Sequence, residues 1–183
     1  MLISVAVSDG ILITPTNSCL GLLDPARIAK LDSRGNHVSG DKPSKEVFLH
    51  TAFYETRART GAVVHLHSPF ATAISCQSAI DPDDCIKPIT PYVVMRVGRV
   101  KRLPYVKPGD PAMGTMIHAL KGAVSAVLLA NHGPVVAGPD LRSAVFAAEE
   151  LEETAKLMHI LKNVPHNVLD EAQIEDLRKT FSH

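Results

Sequence analysis

The sequence has little of what marks nucleic-acid-binding, membrane and secreted proteins. Its 19 basic and 19 acidic residues give a formal net charge of zero, and they are mixed along the chain. Nucleic acids and anionic lipids bind clustered positive charge, so we expect neither as a partner. No apolar stretch approaches the length of a membrane span, and the N-terminal MLISVAVSDG lacks the basic start and long apolar centre of a signal peptide.

Cysteine is also scarce. Cys19, Cys76 and Cys85 are odd in number and lack the spacing of a metal site. We therefore expect free thiols in a cytoplasmic protein. The sequence shows no repeat, low-complexity segment or linker, and 183 residues suit one domain with a substantial core.

Strand-like and helix-like segments alternate along the chain. The predicted strands are LISVAV and ILIT, joined by an Asp-Gly turn, then AVVHLH, YVVMRVG, RLPYV, SAVLLA and PVVAG. Helices are predicted from the caps Asp24, Ser44 (to about Arg59), Ser68, Asp110 and Asp140, and a last one near Asp170. Mixed strands and helices in one unit indicate the α/β class.

Two histidines stand inside the apolar segment AVVHLHSPFATAI. Residues two apart in a strand point to the same face, so His65 and His67 are expected to project together. Two such imidazoles can share one metal ion. Each could instead be a core histidine that donates to a carbonyl group, and the pair alone does not decide between these readings.

His132 and Glu46 complete the candidate chemistry. His132 follows the apolar run AVLLA in an Asn-His-Gly interruption, where sites at sheet ends are often built, although a solvated turn would look the same. Glu46 lies in the first turn of the helix predicted from Ser44 and could carry a proton. Acidic residues are also favoured there for helix stability alone, and the same helix start could receive a phosphate.

Taken in order, GDKPSKEVFLH, AVVHLHS and LLANHGPVVAG resemble the class II aldolase/adducin family over nearly the whole chain. Within it, segments such as TPTNSCLGLLDPARIAKLD and PYVKPGDPA look most like the enzymes that decarboxylate 3-oxo-tetronate 4-phosphates. The resemblance implies a mixed α/β fold with a central, mainly antiparallel sheet flanked by helices. It also implies a homotetramer with active sites at subunit interfaces.

By motif matching, the resemblance assigns roles to individual residues. His65, His67 and His132 take the positions of the ligands to a divalent metal, most simply Zn²⁺, and Glu46 that of the acid/base carboxylate. Tyr92 is a second acid/base candidate, supplied by a neighbouring subunit. The substrate phosphate is expected at Thr16, Asn17, Ser44 and Lys45.

The chain departs from the family pattern at three places. The family often has Gly at the position of Asn17 and Ser at that of Lys45; Asn tolerates a left-handed turn, and the lysine adds a positive charge toward phosphate. The domain, residues 1–183, is also expected to lack the helix and the Gly-Asn loop that precede the family's first strand.

The implied reaction is loss of carbon dioxide from a phosphorylated four-carbon keto acid, which leaves an enediolate. A metal ion can stabilise that charge, and Glu46 would return a proton to give dihydroxyacetone phosphate. Aldol cleavage of a longer sugar phosphate, as by fuculose-phosphate aldolases, passes through the same enediolate and remains the alternative. A metal-free assembly module of the adducin kind is the third reading, but it is expected to lack the three histidines.

Overall fold

The computed structural model describes residues 1–181. The chain forms two compact units, which are described one at a time. The first unit comprises Met1–Leu66, Val106–Ala123 and Ala137–Ala144. The second comprises His67–Tyr105, Val124–Val136 and the chain from Val145 onward.

The first unit contains five antiparallel strands and two helices. The strands are β1 (Leu2–Val7), β2 (Gly10–Ile13), β3 (Ala29–Asp32), β4 (His37–Ser39) and β5 (Ala62–His65). They lie in the order β4-β3-β2-β1-β5. The helices α1 (Val47–Thr56) and α4 (Ala112–Ala119) pack against each other.

The β1–β2 hairpin forms as the Asp-Gly turn predicts. Gly10 has a φ of 150° and pairs with Asp32. A Cβ atom at Gly10 would clash with the Leu31 carbonyl oxygen, so this close approach requires glycine. Beyond the turn, Ile13, Ala29 and Leu31 are buried together and form one cluster of the core.

Up to residue 181, the second unit contains three strands and four helices. The strands β6 (Val100–Leu103), β7 (Ala126–Leu129) and β8 (Gly133–Gly138, whose last two residues belong to the first unit) lie in the order β8-β7-β6. β7 is parallel to β6 and antiparallel to β8. The helices are α2 (Pro69–Ser75), α3 (Pro91–Arg96), α5 (Leu141–Ile160, which begins in the first unit) and α6 (Glu171–Phe181). On α5, Ala148, Leu151 and Ala155 are buried, at the spacing of one apolar helix face.

Two strand and helix assignments from the sequence are wrong. The predicted strand YVVMRVG is mostly helix α3, because Thr90 and Pro91 start a helix that the β-branched residues then continue. The predicted helix after Asp24 is only a 3-10 turn over Pro25–Arg27, followed by β3. There, pairing with β2 outweighs the local helix signal.

Three predicted boundaries also shift. The strand AVVHLH ends at His65 rather than His67. Helix α1 is capped by Glu46 rather than Ser44, and it ends at Thr56 rather than about Arg59. The caps Ser68, Asp110, Asp140 and Asp170 lie at or next to helix starts, as predicted.

The α/β class and the mainly antiparallel sheet are therefore confirmed. Among the strand pairs described above, only β6–β7 is parallel. Within residues 1–181, no helix combines the length and apolar composition required to span a membrane.

Candidate active site

His65 lies at the end of a buried strand, beside a carboxylate. It is the last residue of β5, pairs with Leu2 of β1, and is fully buried. Its Nε2 atom lies 3.6 Å from Oε2 of Glu46. Glu46 is held at the start of α1, where its backbone N–H donates to Ser44 Oγ at 3.2 Å. The helix start thus presents a carboxylate to the imidazole at the strand end.

His67 and His132 form a second close pair. Their Nε2 atoms are 3.2 Å apart and their ring centroids 4.9 Å apart. His132 sits in the kink between β7 and β8, where Asn131 takes a φ of 57°. Helix α2 holds this kink: Thr72 Oγ1 donates to the His132 carbonyl at 3.4 Å, and Asn131 N–H donates to the Ser75 carbonyl at 3.4 Å.

Within the second unit, the Nε2 atoms of His67 and His132 are spaced like two ligands of one metal ion. Ligands on a tetrahedral zinc ion at about 2.0–2.1 Å are about 3.3 Å apart, close to the observed separation of the His67 and His132 nitrogens. The pKa of His132 is lowered mainly by burial and, to a smaller extent, by the positive charge of the chain's N-terminus. A lowered pKa favours the neutral imidazole, the form that binds metals. The spacing of His67 and His132 therefore fits two ligand positions on one divalent cation.

The position of His67 relative to strand β5 differs from the predicted one. His67 lies beyond the end of β5 rather than on the same strand face as His65. The segment Ser68-Pro69 starts helix α2, and an extended strand cannot continue into a helix start. The turn of the chain after His65, rather than strand periodicity, places His67 beside His132.

The four residues predicted to bind phosphate lie on two neighbouring segments of the first unit. Pro15 and Pro43 form an antiparallel bridge, and Thr16 N–H donates to the Lys42 carbonyl at 3.0 Å. This contact brings the Thr16–Asn17 turn beside the segment of Ser44 and Lys45. Asn17 has a φ of 55°, the left-handed geometry expected from its place in the turn.

Tyr92 lies on α3, apart from the contacts described so far. Its side chain is exposed, and the Arg96 guanidinium lies 5.3 Å from the centre of its ring. The same guanidinium lies 5.8 Å from the ring centre of Phe146 on α5. An exposed aromatic group of this kind is available to contact another chain.

Sequence reasoning missed several residues that support the site. Glu152 of α5 accepts hydrogen bonds from the backbone N–H groups of Phe70 and Ala71, at the start of α2. Glu152 is more than 80 positions along the chain from both partners, so no local sequence pattern predicts these hydrogen bonds. Buried His50 was also missed, although a histidine in the apolar stretch VFLHTAF could have been noticed.

Comparison with known proteins identifies the family. The family model described as Class II Aldolase and Adducin N-terminal domain matches residues 2–159. The chain belongs to the class II aldolase/adducin family.

Relatives within the class II aldolase/adducin family include two kinds of enzyme. A 3-oxo-tetronate 4-phosphate decarboxylase of Escherichia coli strain K12 is 50% identical over 96% of this chain and 84% of its own length. An L-fuculose phosphate aldolase of Methanococcus maripaludis is 33% identical over 88% of this chain and 86% of its own length. Among solved structures, YgbL from Escherichia coli is similar, with 48% sequence identity and a TM-score of 0.94. The match covers 97% of this chain and 86% of the YgbL chain.

Proposed function

We propose that this chain is a metal-dependent carbon–carbon lyase that converts a 3-oxo-tetronate 4-phosphate into dihydroxyacetone phosphate and carbon dioxide. The observation that carries the proposal is the 3.2 Å approach of the His67 and His132 Nε2 atoms, and His65 is the third proposed ligand by motif matching. The substrate class rests on the 50% identity to a decarboxylase named for it, against 33% to an aldolase.

His65, His67 and His132 are the proposed ligands of one divalent cation, with Zn²⁺ favoured by three nitrogen donors. When bound, this cation supplies Lewis-acid stabilisation of the negative charge that develops on the substrate ketone oxygen. Neutral imidazoles suit this role, and the lowered pKa of His132 supports it.

Glu46 is the proposed proton carrier. When the bond between C1 and C2 of the keto acid breaks, C1 leaves as carbon dioxide and its electron pair stays on C2 and the adjacent ketone. Glu46, in its acid form, then donates a proton to C2, which yields dihydroxyacetone phosphate. Support for this role is the position of its Oε2 atom, 3.6 Å from His65 Nε2.

Thr16, Asn17, Ser44 and Lys45 are the proposed phosphate-binding residues. The hydrogen bond from Thr16 N–H to the Lys42 carbonyl joins the turn of Thr16 and Asn17 to the segment that leads into Ser44 and Lys45, which supports a shared site. Hydroxyl and amide groups can bond the phosphate oxygens, and the exposed Lys45 adds a positive charge. Holding the phosphate would orient the reacting end of the substrate toward the histidines.

Assembly and location complete the proposal. A homotetramer would allow Tyr92 of one subunit to act as a second acid/base group in the site of its neighbour, and its exposed side chain supports such a role. A cytoplasmic location suits the three free cysteines.

The test supplies the zinc-loaded protein with 3-oxo-tetronate 4-phosphates of both configurations and, in parallel, with L-fuculose 1-phosphate. We expect carbon dioxide and dihydroxyacetone phosphate in equal amounts from one of the acids. Dihydroxyacetone phosphate from the fuculose phosphate alone, with no carbon dioxide from either acid, would replace the decarboxylase with the aldolase reading.

A further inference from the structure

A buried hydrogen-bond network joins helix α1 to strand β1. His50 Nδ1 lies 2.7 Å from Ser4 Oγ, and the same oxygen lies 2.8 Å from the Tyr54 hydroxyl. His50 is fully buried and Ser4 is 1% exposed. Such networks hold packed elements in one arrangement, because breaking them leaves buried polar groups without partners.

The network lies between the two elements that carry Glu46 and His65. Glu46, the N-cap of α1, lies four residues before His50, and His50 lies four before Tyr54, so the three follow one side of the helix. On the strands, Ser4 pairs with Val63 and Leu2 pairs with His65. Paired residues share a face of the sheet, as do residues two apart, so Ser4 and His65 lie on one face.

These spacings place the network close to the site. It lies about one helical turn, or 5.4 Å, from Glu46 along α1. It lies two strand residues, or about 7 Å, from the level of His65 along the sheet. A shift of α1 against β1 and β5 would therefore be transmitted to the separation of the carboxylate and the imidazole.

His50 acts here as a structural hydrogen-bonding group. Burial lowers its pKa to about 3, so the ring is neutral near neutral pH. Within residues 1–181 its Nε2 atom has no hydrogen-bond partner. The imidazole is thus held through Nδ1 and Ser4, and this bond is the one to test.

We infer that Ser4, His50 and Tyr54 are positioning residues that set the 3.6 Å approach of Glu46 Oε2 to His65 Nε2. The inference rests on the proposed role of Glu46 as proton carrier. A reacting group misplaced by about 1 Å can cost about 100-fold in rate, a far larger effect than the same small shift has on a flexible phosphate contact such as that of Lys45. Disrupting the network should therefore lower kcat with little change in KM.

The experiment compares variants of the full chain. Ser4→Ala removes the shared hydroxyl, and His50→Leu removes the ring nitrogen. His50→Asn keeps an amide group near the position of Nδ1. Thr51→Val is the matched control, because it removes a hydroxyl of α1 that donates to the Phe48 carbonyl in its own helix.

We expect Ser4→Ala and His50→Leu to lower kcat by about 10- to 100-fold, with KM and bound zinc changed less than about threefold. His50→Asn should recover most of the loss, and Thr51→Val should match the parent. If Ser4→Ala does not fold, Tyr54→Phe removes one hydroxyl from the same network and should lower kcat with the same unchanged KM. Unchanged kcat in the folded network variants overturns the inference.

A double variant separates this inference from the proposed function. Glu46→Gln alone tests the proton carrier. If the network acts through Glu46, Ser4→Ala should lower the residual turnover of Glu46→Gln no further. An equal fold-loss in both backgrounds would show that the network acts elsewhere, even where Glu46→Gln alone confirms the role of Glu46. Near-normal turnover in Glu46→Gln with a loss in Ser4→Ala would refute both the role of Glu46 and its positioning by this network.

Discussion

Replacing Glu152 with Ala should destabilise the start of helix α2, although the two lie far apart in the chain. The carboxylate accepts from Phe70 N–H at 2.9 Å and from Ala71 N–H at 2.8 Å. Ser68, the residue at the N-cap position, makes no side-chain capping bond. Glu152 therefore supplies the acceptors that the first turn of α2 requires, and its negative charge also suits the positive end of the helix.

The cost can be estimated from these two bonds. A hydrogen bond to a charged group contributes about 1.5–3 kcal/mol, and water can replace part of it because the site is only half-buried. We expect Glu152→Ala to lower the free energy of unfolding by about 2–4 kcal/mol. Zinc affinity should also fall by about tenfold or more, since α2 follows His67 and holds the His132 kink.

Urea unfolding monitored by circular dichroism measures the change. The control is Glu153→Ala, which removes an exposed carboxylate that lies 3.5 Å from Lys156. That variant should unfold within about 0.5 kcal/mol of the parent, because exposed ion pairs contribute little. Equal urea midpoints for the Glu152 and Glu153 variants would refute the capping role.

Three further predictions concern the site and its support. Glu46→Gln should lower turnover by about 100-fold or more, measured by release of dihydroxyacetone phosphate. Bound metal should change little, since three imidazoles remain. Near-normal turnover would place the proton source elsewhere. Lys45→Ala should raise KM for the phosphorylated substrate by about tenfold, which corresponds to about 1.4 kcal/mol of binding free energy. The control is Lys42→Ala, which removes a nearby exposed lysine and should leave KM unchanged. Equal KM values for the two variants would remove Lys45 from the phosphate site. Burial lowers the pKa of His50 from 6.5, its ordinary value, to about 3 in the folded chain. Below about pH 6.5 the unfolded chain therefore binds a proton that the folded chain does not. The free energy of unfolding falls as the pH falls, by up to about 1.4 kcal/mol per pH unit. The urea midpoint should therefore drop less between about pH 7.5 and pH 5 in His50→Asn than in the parent; identical drops would contradict the buried neutral state.

Some features could be predicted from the sequence because their signals are local or chemically distinctive. The Asp-Gly turn predicts the first hairpin, and the caps Ser68, Asp110, Asp140 and Asp170 predict the starts of four helices. The histidines could be found because imidazoles are unusual in apolar segments. The strand geometry expected for His65 and His67 is wrong, since His67 follows the strand instead of belonging to it.

Other features depend on contacts between distant residues. Helix α3 contains the β-branched run Val93-Val94, whose propensity favours a strand until Thr90 and Pro91 start the helix. The partners Ser4 and His50 are 46 residues apart, and the cap from Glu152 to Phe70 spans 82. No periodicity or turn signal encodes such pairs, so the support of the site becomes visible only in three dimensions.

The metal content of the purified protein tests the central claim most directly. Elemental analysis of the parent and of His65→Ala, His67→Ala and His132→Ala should be compared with a control, His118→Ala, whose imidazole instead lies 2.8 Å from the Glu55 carboxylate. We predict about one divalent metal ion per chain in the parent and the control, and its loss in each of the three variants. Full metal occupancy in His65→Ala would contradict the three-histidine site.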